Sequence, residues 1–502
     1  MKKIILCILS SALLLLSFPK PSLWPVAFFA LIPMLFAVNK EKPVKSFILG
    51  IFTGIVAYCG ILYWLVPTFS AAGEPKITGL AVLLLLSLYL AIYYGLFCLL
   101  FSLLSTSHFP LTTPYLLLPA FLWVILEFIR THLFTGFPWA LLGYTQWNNL
   151  PIIQISEFTG VYGVSFLIVL VNLTVFNMLI KKQKLLSLYH FITLSLIFIY
   201  LIFGFYRLTV YRLPCLAGRQ ASTVCRISIL QGNIDQYKKW DSSYGKWIRN
   251  TYEELAIKSA KENPAPALIV WPETAAPGYL RNDKNLYGWM KKITGETKTQ
   301  HLVGTVDYAD GRTYNSAFLF SENGKITGGY SKVHLVPFGE YMPFKKIAEK
   351  FVKVANEIGE TTPGENYTVI NSSAGKIGVN ICFEAIFPDE VRKSVKQGAE
   401  IIVNITNDAW YLKTSAPYQH FTMNVFRAVE NRREVVRAAN TGISGFIDPA
   451  GRIKSRTNIF EKCTVSDIIL KNSRPTFYTR YGDVFCYFCF LFAIIILTIT
   501  KK

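Results

Sequence analysis

Long apolar blocks with few charges fill the chain up to about residue 206. Beyond that point the pattern changes to short apolar runs separated by polar stretches. A block of about 18 or more apolar residues reads as a membrane-crossing helix, whereas a short run bounded by turn residues reads as a buried strand. The first pattern predicts spans over 4–18, 22–38, 47–67, 77–104, 114–134, 161–180 and 185–206. A last apolar run predicts another over 484–500. The first two are short and interrupted by proline. The 4–18 block follows Met1-Lys2-Lys3, as a signal peptide would, but Ser17-Phe18-Pro19-Lys20 offers no small-residue cleavage pattern, so a retained helix is expected.

Between these flanks, 226–232, 267–271, 301–306, 376–382 and 401–406 have the composition of buried strands. The stretches 242–262 and 388–397 are polar and helix-compatible. The pairs 315–330 and 440–453 read as hairpins turning at Glu322-Asn323-Gly324 and Asp448-Pro449-Ala450-Gly451. Strands alternating with helices, then late hairpins, predict a layered α/β sandwich. The expected organisation is a membrane domain of about seven helices over 1–210, a folded domain over 220–475 and a C-terminal membrane helix over 482–502. Within 344–358, Ile347, Phe351, Val354 and Ile358 share a helical face while Lys345, Lys346, Lys350 and Lys353 ride mostly elsewhere. Such a helix packs on its own domain, or rests on lipid as a lid.

Charge adds an orientation. Lys2 and Lys3, then Lys40, Lys42 and Lys45, then Lys181, Lys182 and Lys184, and finally Lys501 and Lys502 all fall on one side if every span crosses once. The positive-inside rule makes that side cytoplasmic, which leaves the folded block outside, in a bacterium on the periplasmic face of the inner membrane or the outer face of the cell. These lysines account for much of the formal charge of +20. The rest suits a basic face beside anionic lipid, and no zinc-finger spacing or phosphate loop suggests nucleic acid, metal or a diffusible cofactor. Nothing calls for a second chain, so a monomer is expected. Of nine cysteines, Cys225 and Cys463 lie in the first and last strand-like runs of the block and could pair, but spacing alone cannot establish it. In span 114–134, Glu127 and Arg130 read as an i,i+3 pair reaching the interface. The aromatic segment from Thr135 through Trp147 to Asn149 reads as a lipid-facing wall or an aromatic belt.

The chemistry concentrates at three strand ends. Cys382 closes an apolar run, Glu273 follows Ala267–Pro272, and Lys332 lies in the run Tyr330–Glu340. A thiol reacts as thiolate, a carboxylate can take its proton, and an ammonium can stabilise an oxyanion. The same residues could equally be a core cysteine, a capping glutamate and a surface lysine, and spacing does not decide between the two.

At these positions the sequence resembles the nitrilase superfamily, whose site is Glu-Lys-Cys on a four-layer α-β-β-α sandwich. Pro272-Glu273, Lys332 and Cys382-Phe383-Glu384 match its motifs in order. With the membrane flanks, the whole chain resembles the apolipoprotein N-acyltransferase family. Gln231–Trp240, Trp271–Thr274, Val336–Pro343, Asn407–Trp410 and Arg437–Gly442 carry further matches. Phe383 stands where the family often has tyrosine, and Tyr411–Ser415 departs from the usual sequence after Trp410. The resemblance implies a polytopic α-helical membrane domain plus a nitrilase-like sandwich. It implies transfer of the sn-1 acyl chain of a phospholipid, phosphatidylethanolamine above all, through a thioester on Cys382. The acceptor is the α-amino group of a diacylglyceryl-cysteine on an apolipoprotein, in the last step of bacterial lipoprotein maturation. Glu273 is then the base and Lys332 the oxyanion partner. Glu340, Glu384 and Phe383 support the site, and Trp240 is a lid or an interfacial anchor. A membrane-tethered amidase using the same triad, or a silent lipid-binding protein, are the other classes. The acceptor separates the first, and a reactive thiol excludes the second.

Overall fold

The computed structural model describes residues 1–106, 113–181, 188–211, 224–342 and 361–499. The chain forms two compact units, Met1–Arg212 with Tyr481–Lys502, and Leu213–Arg480.

The first unit is helical. Among the described residues, Pro43–Ile61, Lys76–Leu104, Val161–Ile180 and His190–Val210 are long and apolar enough to cross a membrane. The helices Lys2–Ser17 and Val484–Ile499 are shorter, and Thr113–His132 contains Pro119. The run 22–38, expected as one span, is instead a 3-10 turn, Trp24–Phe28, followed by a helix, Ile32–Val38, each with proline at its start. Proline lacks an N–H and so begins a helix more readily than it continues one. Asn172 compensates for the break: its Nδ2 donates to Ala27 O at 2.9 Å and its Oδ1 accepts from Leu31 N at 2.9 Å. In an apolar environment such open backbone groups need partners from the protein itself.

Glu127 and Arg130 differ from expectation. Both side chains are buried within the helical unit. Arg130 donates to the Tyr58 hydroxyl and, at 3.5 Å, to Trp139 O, while Glu127 accepts from Leu142 N at 2.7 Å. They fasten the segment after their own helix, in which Trp139 and Tyr144 are buried, rather than leaving it as an exposed belt.

The second unit holds two sheets. Strands β1 (Val224–Gln231), β2 (Leu268–Val270), β3 (Ala276–Tyr279), β4 (Gln300–Ala309), β5 (Arg312–Phe320) and β6 (Ile326–Ser331) belong to the first. Strands β7 (Val369–Ser372), β8 (Gly375–Ile381), β9 (Ile401–Thr406), β10 (Glu434–Ala439), β11 (Gly445–Ile447) and β12 (Ile453–Arg456) form the second, and β13 (Cys463–Leu470) returns to the first. Their orders are β13-β1-β2-β4-β5-β6, with β3 beside β4, and β12-β11-β10-β9-β8-β7. Period-two alternation builds the layers. Ile227, Ile229, Leu268, Val270 and Leu319 meet Ile377, Val379, Ile401, Val403 and Val436 between the sheets. Ile269, Val303 and Phe318 face the other way, against Ile248, Tyr252, Met290 and Ile293 of the helices Gly245–Ala260 and Lys284–Thr297. Helices Pro388–Lys396 and Ala416–Asn431 accompany the second sheet. The result is the expected four-layer sandwich.

Antiparallel pairing of β1 and β13 sets Cys225 opposite Ile469 and Cys463 opposite Gln231. The two thiols therefore sit near opposite ends of the strand pair, roughly 20 Å apart at strand rise. That is far beyond disulfide reach, so a bridge between them is ruled out. The basic segment 344–358 lies outside the described residues.

Candidate active site

Three strand ends carry the three candidate side chains. Glu273 sits in the turn after β2, a turn that lies against β4 at Gly304. A Cβ there would come within 2.2 Å of Pro272 O, so the close approach requires glycine. Lys332 follows β6 directly and is anchored by its own backbone, its N–H donating to Asn315 O at 2.8 Å and its carbonyl accepting from Gly364 N at 2.7 Å. Cys382 follows β8 with φ +53°, the left-handed region that a residue with a Cβ enters at a cost. The sharp turn lifts the partly exposed thiol off the strand.

The polar wiring gives each group a role. Lys332, only 1% exposed, pairs with Glu340 Oε2 at 2.7 Å. Asn315 Nδ2 donates both to Glu273 Oε1 at 2.7 Å and to Glu340 Oε1 at 2.9 Å, tying the two carboxylates together. Glu340 Oε2 also accepts from Val336 N at 2.8 Å. Burial alone would lower the Lys332 pKa, but Glu340, Cys382 and Glu273 outweigh it and hold the ammonium charged. Burial, and then the neighbouring Glu273 carboxylate, push the Cys382 thiol up, with Lys332 acting the other way. Cys382 therefore rests as a thiol, within electrostatic reach of the Glu273 carboxylate.

Glu384 sits between two of the segments that carry the site. Fully buried, it accepts from Tyr330 Oη at 2.7 Å, Val333 N at 2.8 Å, His334 N at 3.1 Å and Ile381 N at 2.6 Å. It clamps the segment carrying Lys332 to the strand end carrying Cys382. Burial and Glu390 push its carboxyl up to about 7, against the pull of these donors. Phe383 packs on Phe387 at 5.3 Å and lies 6.0 Å from the His334 ring. Trp240 closes the helix Gln236–Trp240, and its side chain lies outside the described set.

Two features escaped the sequence. Lys239 is buried, and its Nζ donates to Glu273 O at 2.9 Å. It interacts electrostatically with Glu273 and Cys382, and burial lowers its pKa to about 8. The other feature is a buried polar cluster of Asn404, Asp408, His420 and Arg437 beside Cys382. The signals were present, in Lys238-Lys239-Trp240 and in the motifs at 407–410 and 437–442, but neither burial nor contact can be read there. Among the described residues no three His, Cys, Asp or Glu side chains form a group that could hold a metal ion.

This arrangement of thiol, carboxylate and paired ammonium suits acyl transfer. Comparison with known proteins agrees. The family description "Apolipoprotein N-acyltransferase N-terminal domain" matches residues 10–174, and "Carbon-nitrogen hydrolase" matches 226–476. A Geobacter metallireducens apolipoprotein N-acyltransferase is 40% identical, covering 97% of this chain and 92% of its own. The chain belongs to the apolipoprotein N-acyltransferase family. It is a membrane protein and an acyltransferase. The Haemophilus influenzae relative of the same name is 29% identical over 96% of this chain and 91% of its own. A Saccharomyces cerevisiae member of branch 10 of the nitrilase superfamily has a TM-score of 0.40 at 19% identity, covering 50% of this chain and 93% of that one.

Proposed function

We propose that this enzyme moves the sn-1 acyl chain of a phospholipid, phosphatidylethanolamine in the first instance, to the α-amino group of a diacylglyceryl-cysteine on an apolipoprotein. The observation that carries this reading is the juncture of Cys382, Glu273 and Lys332 in a chain whose two halves match a membrane acyltransferase domain and a carbon–nitrogen hydrolase domain. Glu273 takes the thiol proton as Cys382 attacks the ester carbonyl, and Lys332 stabilises the oxyanion of the tetrahedral adduct. Collapse breaks the ester C–O bond, Glu273 returns the proton to the departing glycerol oxygen, and a lysophospholipid leaves a thioester behind. An α-amine, with a pKa of about 8, keeps a neutral fraction of roughly a tenth near pH 7, and that form attacks the thioester. Glu273 takes its proton, the C–S bond breaks, and the thiol is restored. Splitting one hard transfer into two in this ping-pong sequence is what a covalent intermediate offers. Both substrates are held by lipid, which suits a catalytic domain flanked by membrane helices. Lysine placement supports a periplasmic catalytic domain in the inner membrane.

Intact mass of the protein after incubation with phosphatidylethanolamine tests the reading. A hydroxylamine-labile fatty-acyl gain on Cys382 that passes to a diacylated lipopeptide amine is expected. An acyl gain discharged only to water would overturn it in favour of a hydrolase.

Lys239 supplies a second prediction. Its ammonium loses its proton near pH 8, so positive charge beside Cys382 and Glu273 is present below that pH and lost above it. The acylation rate is expected to fall as pH rises through 8. Lys239→Met should slow acylation about tenfold at pH 7, the scale of one interaction with a charged group, and should remove that alkaline inflection. Single-turnover acylation between pH 6 and 9.5 measures both.

A further inference from the structure

Five elements converge beneath the nucleophile, and none of their polar side chains enters the steps above. His420 lies in the first turns of helix Ala416–Asn431, fully buried, with Nε2 3.1 Å from Cys382 O. A carbonyl oxygen only accepts, so Nε2 carries the hydrogen. Asn404 Nδ2, from β9, lies 3.5 Å from the same oxygen and donates to Asn380 Oδ1 of β8 at 2.9 Å. On the far side of the ring, Nδ1 is 3.0 Å from Asp408 Oδ1 and 3.1 Å from Arg437 Nη2. Asp408 is held in turn by Thr406 Oγ1 at 2.9 Å and Arg437 Nη2 at 2.7 Å. Arg437, from β10, also donates to Asn404 Oδ1 and, at 3.2 Å, to Ile443 O. Asn404, Asp408, His420 and Arg437 are all 0% exposed.

This cluster touches the nucleophile through its backbone. Cys382 adopts φ +53°, a conformation that persists in a non-glycine residue only where its surroundings over-determine it. The peptide carbonyl of Cys382 is the group whose direction changes if the backbone relaxes toward the extended strand, and that carbonyl is what His420 holds. Asp408 and Arg437 are wrapped around the imidazole edge and leave it one orientation. A network placed only for core stability would have no need to end on the nucleophile's own carbonyl.

We infer that His420, oriented by Asp408 and Arg437, is a positioning residue that locks the Cys382 backbone in its left-handed turn and so aims the thiol between Glu273 and Lys332. The inference rests on the proposed acyl transfer for its kinetic readout, but not for its chemical one. It gives the motifs at 407–410 and 437–442 a mechanical purpose: they build the seat of the nucleophile.

Two variants of the full-length protein test this. His420→Phe keeps a flat ring but no donor, whereas His420→Gln keeps an amide N–H at similar reach. Acyl-enzyme formation from phosphatidylethanolamine should be roughly 100-fold slower in His420→Phe, the scale of an ångström of misplacement. The half-saturating phospholipid concentration should change less than about twofold, because no substrate contact is lost. Alkylation of Cys382 by iodoacetamide should slow as well, and His420→Gln should recover most of both rates. Equal rates in the two variants, with both folded, would overturn the inference, as would wild-type acylation by His420→Phe. A wild-type protein that alkylates at Cys382 but takes up no acyl chain would overturn the acyl-transfer reading instead, and the alkylation rates alone would then decide the role of His420. Should His420→Phe fail to fold, His420→Asn, whose shorter amide falls short of the carbonyl, replaces it against His420→Gln. Equal alkylation rates in that pair would again overturn the inference.

Discussion

Cys382→Ala is expected to abolish the acyl-enzyme and to lower lipopeptide acylation by a factor on the order of 10⁵, the cost of removing a covalent nucleophile from a site whose other parts remain. The fold should survive, because the side chain is partly exposed and makes up only the edge of the inter-sheet core. Residual transfer would come from direct attack of the acceptor amine on bound ester, with Glu273 taking its proton and Lys332 at the oxyanion. Cys382→Ser is expected to lie close to Ala, since Glu273 would have to deprotonate a far weaker acid than a thiol. Mass spectrometry of the adduct and a lipopeptide gel-shift assay check both variants. Transfer by Cys382→Ala at more than about one hundredth of the wild-type rate would mean that no thioester lies on the path.

Glu384→Ala is expected to have the second largest effect, by a different route. The substitution leaves the Tyr330 hydroxyl and the N–H groups of Val333, His334 and Ile381 without the acceptor they share in a fully buried site. Stranded buried donors cost about 1–3 kcal/mol each where water cannot reach them. Two or three would take a large part of the roughly 5–15 kcal/mol that holds a domain folded. A fall of many degrees in the melting temperature and an almost complete loss of activity should come together. Glu384→Gln keeps one oxygen for the Tyr330, Val333 and His334 donors but turns an NH₂ group toward Ile381 N–H, so it should recover only part of each. Thermal unfolding and Cys382 alkylation measured on the same samples separate the possibilities. Lost activity at an unchanged melting temperature would show that Glu384 acts on the chemistry rather than as a clamp.

Much of this architecture is legible in the chain because the signals are local. The strand expected at 401–406 is Ile401–Thr406, a continuous β-rich run bounded by polar residues. The turn at 322–324 is closed by Gly324 at φ +73°, a conformation that glycine adopts without strain. The broken segment at 22–38 is a local matter too, and its prolines announced it. The helix Ala416–Asn431 was missed for a physical reason: fifteen of its residues are buried, Arg427, Glu430, Asn424 and His420 among them. An amphipathic stripe marks a helix with one face in water, and this helix has none. Lys239 was passed over because a lysine in a polar run normally means solvent, and only the turn at Glu273 packing over it makes it part of the site.

The sequence by itself determined the kind of protein: membrane helices from sustained apolar blocks, a sandwich from period-two runs, and a thiol, a carboxylate and an ammonium each placed where a strand stops. Those properties depend on neighbours along the chain. Tertiary structure alone decided which donor meets which acceptor. It put Glu384 on the backbone of two segments, set Cys225 and Cys463 near opposite ends of a strand pair, buried Glu127 and Arg130, and closed Asp408, His420 and Arg437 under Cys382. Each of those outcomes depends on desolvation and on partners tens to hundreds of residues away, and a linear pattern carries neither.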